Sequence, residues 1–384
     1  MSKEGVKVLI DGPVALTMLQ EGKPKERLAV RNEYPVTDFS TEIFRSFGLM
    51  YLVSTYLPEK ITTDFSVPEK FRELISLMYK SELKEPPKFT LTDKKLVSGK
   101  GVPKIYEVTD KDRAVLTYSG GKDSMWNLNW LLKEKGVDNV LAVHFKGMNR
   151  SVAKGEYDAT LKQAERVGFQ LKVLDLLNSS KGGGRNVMRS RDMFIVGLTI
   201  PLALRFGAVN IYLEGGRLPK GTAPGSPFNM YEESWKAFNN LLTDLGIPIQ
   251  ASWKEANGGQ AINELMRERS DWLRLVHNCF SPPCYKPGKR RGWQKAAPTF
   301  PLYETQCGSC AKCREVNIAR IEQDPALKLA DPGDIKEYVR STIVWSRNHK
   351  QAITDPLGTD FKTRLFSLSQ KYGLESLYQK YLTA

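Results

Sequence analysis

Val115-Leu116-Thr117-Tyr118-Ser119-Gly120-Gly121-Lys122-Asp123-Ser124 is the stretch on which the fold turns. An apolar run suited to a strand breaks into Ser-Gly-Gly. A helix-like run from Met125 to Lys135 follows and stops at Gly136. A strand that feeds a glycine turn and then a helix gathers backbone N–H groups and the positive helix end at one point. Two adjacent glycines let an anion approach the backbone without Cβ clashes. The stretch predicts a phosphate site, and it is not a Walker A loop, because G-x-x-x-x-G-K-[ST] is absent.

Outward from the loop, strands and helices alternate. Ala114–Tyr118, Val140–Phe145, Gln170–Leu176 and Val209–Leu213 read as strands. Ser124–Lys135, Glu156–Val167 (with Leu161 and Ala164 turned inward) and Arg189–Phe206 read as helices, the last ended by Gly207. Tyr231–Leu245 and Gln260–Arg269 are further amphipathic helices, with Trp235 read as core. This order predicts an α/β domain with a parallel sheet covered by helices on both faces. Ligands in such sheets bind beyond the carboxyl ends of the strands. Two loops fall at that edge, Lys181–Asn186 and Glu214–Asn229, and both read as lids.

The block before the loop carries no recognisable catalytic pattern. Val6–Ile10 reads as a strand, Glu42–Leu57 as a buried helix or strand, and Pro68–Lys80 as an amphipathic helix. Lys84–Lys104, with Pro86, Pro87 and several lysines, reads as a connector. The expected organisation is a small α+β accessory domain over 1–110, the loop-bearing domain over 111–276, and a C-terminal helical region over 277–384.

The 384 residues are 41% hydrophobic and 26% charged, ordinary for a soluble globular protein. No apolar run reaches the length of a membrane span, and Met1–Gly5 lacks an apolar signal core, so a cytoplasmic protein is expected. A formal charge of +14 suits nucleotides, nucleic acid or another acidic partner, and equally a lysine-rich solvated surface. The cysteines are Cys279, Cys284 and the C-x-x-C-x-x-C run Cys307, Cys310, Cys313. Three thiolates from one tight turn need one more for tetrahedral Zn²⁺, and Cys279 or Cys284 supplies it. An iron–sulfur cluster is the other reading of this spacing. His277, beside Cys279, is an alternative ligand, and His144 at a strand end reads as structural.

The order Ser-Gly-Gly-Lys-Asp-Ser resembles the loop of the PP-loop ATP pyrophosphatases, which cleave ATP between its α and β phosphates. With the late cysteines, the chain from Ala114 to Glu322 is similar to the 7-cyano-7-deazaguanine synthase (QueC-like) branch. That resemblance implies a HUP-like PP-loop domain with a zinc-binding helical segment, and ATP, Mg²⁺ and Zn²⁺ as cofactors. It implies that Ser119, Gly120, Gly121 and Ser124 hold the departing pyrophosphate, with Lys122 adding charge and Asp123 orienting the loop or helping to hold Mg²⁺. Arg185 or Arg191 would steady the substrate carboxylate. The substrate implied is 7-carboxy-7-deazaguanine, activated as an acyl-adenylate and converted to an amide and then a nitrile.

The chain departs from the branch in its N-terminal block and in a longer spacing before the cysteine triplet. The inserted segment holds Lys286, Lys289, Arg290, Arg291 and Lys295 beside Tyr285 and Trp293. A PP-loop enzyme that thiolates tRNA or amidates a base is therefore the second reading, with the insert gripping RNA. A defence-associated relative acting on a protein partner is another, and a zinc-stabilised nucleic-acid-binding protein without catalysis the last. Expected partners are a small-molecule carboxylate first, tRNA or a protein through the added pieces, and a second copy in a homodimer. No membrane partner is expected.

Overall fold

Val6–Ile10 (β1), Ala15–Gln20 (β2) and Lys23–Val30 (β3) form an antiparallel meander. The computed structural model describes residues 5–92, 112–148, 153–178, 189–214, 217–219, 226–254, 259–278, 310–323, 335–348 and 358–382. These divide between two compact units, one of residues 1–117, 131–148 and 170–255, the other of residues 118–130, 149–169 and 256–384.

The first unit holds a ten-stranded sheet. After the meander come Lys60–Thr63 (β4), Lys88–Leu91 (β5), Ala114–Thr117 (β6), Val140–Lys146 (β7), Gln170–Asn178 (β8), Asn210–Leu213 (β9) and Gln250–Trp253 (β10). Their spatial order is β10-β9-β6-β7-β8-β3-β2-β1-β4-β5. From β10 to β8 every neighbour is parallel, as expected where each strand is followed by a helix. All four residues of β6 are buried, which fits its unbroken apolar run and its central place.

The 1–110 block does not form a unit of its own. β3 pairs antiparallel with β8, Leu28 opposite Asn178 and Val30 opposite Leu176, so the N-terminal strands continue the sheet. Val8, Leu16 and Phe47 share one apolar core with Val115, Val143, Phe194 and Trp235. The expected connector contains β5, and residues 93–111 lie outside the described part.

Glu42–Leu57 resolves as helix. Asp38–Ser54 (α1) starts at Thr37, whose hydroxyl accepts the Ser40 N–H, while Ser40 Oγ accepts the Thr37 N–H. Glu69–Ser81 (α2), Arg191–Phe206 and Glu232–Asp244 also pack in this unit. Arg191–Phe206 lies tight against α1: a Cβ on Gly197 would sit 2.3 Å from Phe47 Cδ2. Gly207, at φ +80°, ends that helix in the left-handed conformation expected.

The second unit is helical among its described residues. Lys122–Lys135 (α3) begins in it, followed by Ala153–Val167 (α4). With Arg191–Phe206 as α5 and Glu232–Asp244 as α6, the later helices are Gln260–Glu268 (α7), Ser270–Leu273 (α8), Ala311–Gln323 (α9), Ile335–Asn348 (α10), Gly358–Lys371 (α11) and Glu375–Leu382 (α12). Ile318 and Ile321 of α9 share a core with Tyr338, Val339 and Ile343 of α10 and with Phe361, Leu365 and Leu368 of α11. Among the described residues no helix is long and apolar enough to cross a membrane.

Candidate functional site

The loop after β6 is held by its neighbours on both sides of the turn. Gly120 has φ +78°, a conformation that L side chains rarely adopt, and a Cβ there would lie 2.7 Å from Gln163 Oε1. The Gly120 carbonyl accepts from Gln163 Nε2 at 3.0 Å and from the His277 N–H at 2.9 Å. Gln163, fully buried on α4, also donates to the Leu275 carbonyl at 2.7 Å and accepts from the Tyr118 hydroxyl at 2.7 Å. One side chain thus ties the loop to α4 and to the segment after α8.

Of the two α4 residues expected inward, Ala164 is half-buried and Leu161 is not turned in. Leu161 is exposed, whereas Ala159, Thr160 and Gln163 are buried. The inner face of α4 carries polar support for the glycine turn.

Inside the loop the hydroxyls occupy the turn. The Ser119 N–H donates to Ser124 Oγ at 3.2 Å, the two serine hydroxyls lie 2.9 Å apart, and the Gly121 N–H donates to Ser119 Oγ at 3.3 Å. Helix α3 starts at Lys122, two residues before the expected Ser124, and its first bond runs from the Met125 N–H to the Gly121 carbonyl. Lys122, Asp123 and Ser124 therefore form the first helical turn, where unpaired N–H groups and the helix dipole favour an anion.

The Lys122 ammonium is buried. Its Nζ lies 3.0 Å from Asp123 Oδ1 and 3.8 Å from Glu315 Oε1. Burial works against its charge, but Asp123 and then Glu315 more than offset it, and the net shift is upward. Burial pushes the Glu315 carboxyl up to about 7, and Lys122 pulls it back only in part. At about 4 Å such a pair attracts by roughly 4 kcal/mol at an effective interior dielectric near 20, less than the desolvation of two buried charges. The result is a lysine kept charged beside a carboxyl that loses its proton reluctantly.

Glu315 comes from α9, the helix that starts after Cys310. Cys313 is buried and its Sγ donates to the Asn278 carbonyl at 3.5 Å, while Asn278 Nδ2 donates to the Lys312 carbonyl at 3.0 Å. Asn278 Oδ1 lies 3.4 Å from where a Gly121 Cβ would be. The start of α9 therefore meets the glycine turn through Asn278. Arg320, further along α9, is buried and donates to the carbonyls of Leu273, Arg274 and Val276 at 3.0, 3.4 and 2.7 Å.

No protein-family model matches this sequence, and neither does any curated protein.

The remaining expected residues divide. In the second unit Ser119 bonds Ser124 within the loop, and Lys122 pairs with Asp123 and with Glu315. Arg191 belongs to the first unit, where its Nε donates to Asp192 Oδ1 at 3.0 Å. Asp192 also faces Arg217 at 3.8 Å, and Arg217 lies over the Trp235 ring at 5.1 Å. Leu218 bridges to Tyr231 beside it, so this part of the expected lid is anchored. Arg185, Cys279, Cys284, Cys307 and the 181–186 loop lie outside the described residues. Among the described residues no group of three or more histidines, cysteines or acids is placed to hold a metal. Sequence reasoning missed Glu315, Gln163 and Arg320. All three act through partners far along the chain: α9 buries Val316, Ile318 and Ile321 together with Arg314, Glu315, Asn317 and Arg320, and the polar members carry no local sign of their partners.

Proposed function

We propose that this protein is an ATP-dependent ligase of the PP-loop pyrophosphatase type, similar to 7-cyano-7-deazaguanine synthases, that adenylates a carboxylate for amide and nitrile formation. The observation that carries the reading is the Ser119–Ser124 loop: a left-handed glycine, a helix N-terminus, two hydroxyls and one buried ammonium converge where a central parallel strand ends. The α/β sheet is compatible with a HUP-like domain, and no nucleophile or catalytic histidine is required.

In this mechanism a carboxylate oxygen attacks the α-phosphorus of ATP. The bond from that phosphorus to the α,β-bridging oxygen breaks, and pyrophosphate leaves with the electron pair. The N–H groups of Gly120 and Gly121 and the Ser119 and Ser124 hydroxyls would donate to its oxygens, and Lys122 offsets the growing negative charge. Mg²⁺, when bound, supplies further neutralisation of the phosphates. Asp123, 40% exposed at its side chain, is accessible to help hold it. Arg185 and Arg191 are the candidates for the substrate carboxylate. Ammonia then attacks the acyl carbon, AMP departs, and the new amide nitrogen loses a proton.

The cysteines suit Zn²⁺ as a structural ion, since the C-x-x-C-x-x-C run brings three thiolates together at one turn, with Cys313 at the start of α9. Cys279 or Cys284 would be the ligand joining Cys307, Cys310 and Cys313. Cys310→Ser is expected to purify with less than half the zinc of wild type by elemental analysis; unchanged zinc would rule out the site.

The functional test is incubation with ATP, Mg²⁺, ammonium and 7-carboxy-7-deazaguanine. The amide or nitrile is expected alongside AMP and pyrophosphate. AMP formed only when tRNA or a protein is added would replace the small-molecule substrate by that partner.

A further inference from the structure

We infer that Glu315 is a positioning residue for Lys122, holding the loop's ammonium at the glycine turn from outside the loop motif. The inference rests on the reading of the loop as a phosphate site and deepens it. Lys122 is the loop's one cation, and a lysine on four flexible carbons is not fixed by its backbone. Two carboxylates flank its ammonium from different elements. Asp123 is its sequence neighbour and is partly exposed, so it is the one a nucleotide or Mg²⁺ can draw away. Glu315 is 4% exposed at its side chain and comes from α9, which the loop does not control.

Glu315 Oε1 accepts no hydrogen bond among the described residues, so the Lys122 ammonium, 3.8 Å away, is its electrostatic counterpart. Glu315 also lines a cavity of about 10 Å³ with Gly259, Ile262, Asp360, Phe361 and Arg364. Arg364 is committed elsewhere: its guanidinium bonds Asn263 and Met266 and faces Glu322. Lys312 and Arg364 also pull on the carboxylate, each less than Lys122 does. Its anchor is firm as well, since Arg320 and the Cys313–Asn278 contact hold α9 to the segment that carries the His277 N–H. When phosphates displace Asp123, Glu315 keeps the ammonium in place for the leaving group.

Two measurements on the full chain test this. In the first, exposed lysines and Lys122 are labelled with an amine-reactive reagent and read by mass spectrometry. Glu315→Gln is expected to speed labelling of Lys122 by about tenfold, with other lysines unchanged as a control on folding. In the second, ATP turnover to AMP is measured in a double-mutant cycle with Lys122→Met. Glu315→Gln should lower kcat by about tenfold with KM for ATP within about twofold, and cost nothing further once Lys122 is methionine. Glu315→Asp, which keeps the charge but draws it back by one methylene, should fall between. Unchanged Lys122 labelling, or the same loss in both backgrounds, overturns the inference. Faster Lys122 labelling in a protein that forms no AMP would uphold the positioning role and remove the ATP-cleavage reading.

Discussion

Lys122→Met is expected to lower AMP formation by about 10²–10³-fold, the range for removing one preorganised charge from a developing anion. Lys122 is the only cation within Ser119–Ser124, and its ammonium is already desolvated where a pyrophosphate would depart. Methionine keeps the length and apolar body of the side chain, so the packing of α3 survives. The groups left behind tolerate the loss: Asp123 is partly exposed, and Glu315, pushed up to about 7, can take a proton in place of a bare buried charge. Initial rates at saturating ATP, set beside a thermal melt, separate the two effects. A fall under threefold with the fold intact would remove Lys122 from the chemistry.

Arg320→Met should destabilise the helical unit by about 3–5 kcal/mol, because each orphaned buried carbonyl costs roughly 1–3 kcal/mol. The Arg320 guanidinium reaches the carbonyls of Leu273, Arg274 and Val276 and the Asn317 side chain, all from a buried position. Arg320→Lys should recover little, since an ammonium on a single stem cannot fan across three carbonyls. The same substitution loosens the segment whose His277 N–H holds Gly120, so ATP turnover should fall along with stability. Urea unfolding of the two variants against wild type gives the number; a loss below about 1 kcal/mol would show that water replaces the guanidinium without strain.

The parts of this protein legible in its sequence are those set by neighbours in the chain. The apolar run Ala114–Thr117, the glycine pair and the stop at Gly207 each act within a few residues, and each appears where expected. What escaped depends on partners far along the chain. The antiparallel pairing of β3 with β8 joins Leu28 to Asn178 and extends the sheet through the N-terminal block, and no local pattern announces it. Leu161 of α4 is exposed, while Gln163 on the same helix is buried and holds the Gly120 carbonyl, a partner no local pattern shows. Glu315 stayed hidden because its partner Lys122 lies far off in the chain, and no local pattern pairs the two.

The most direct test of the account is the position at which ATP is cut. The purified protein, supplied with Mg²⁺, ATP, ammonium and a carboxylate substrate, should release AMP and pyrophosphate in equal amounts, and Lys122→Met should release neither at a comparable rate. ADP and orthophosphate as the products, or no nucleotide turnover with a carboxylate, tRNA or a protein acceptor, would contradict it.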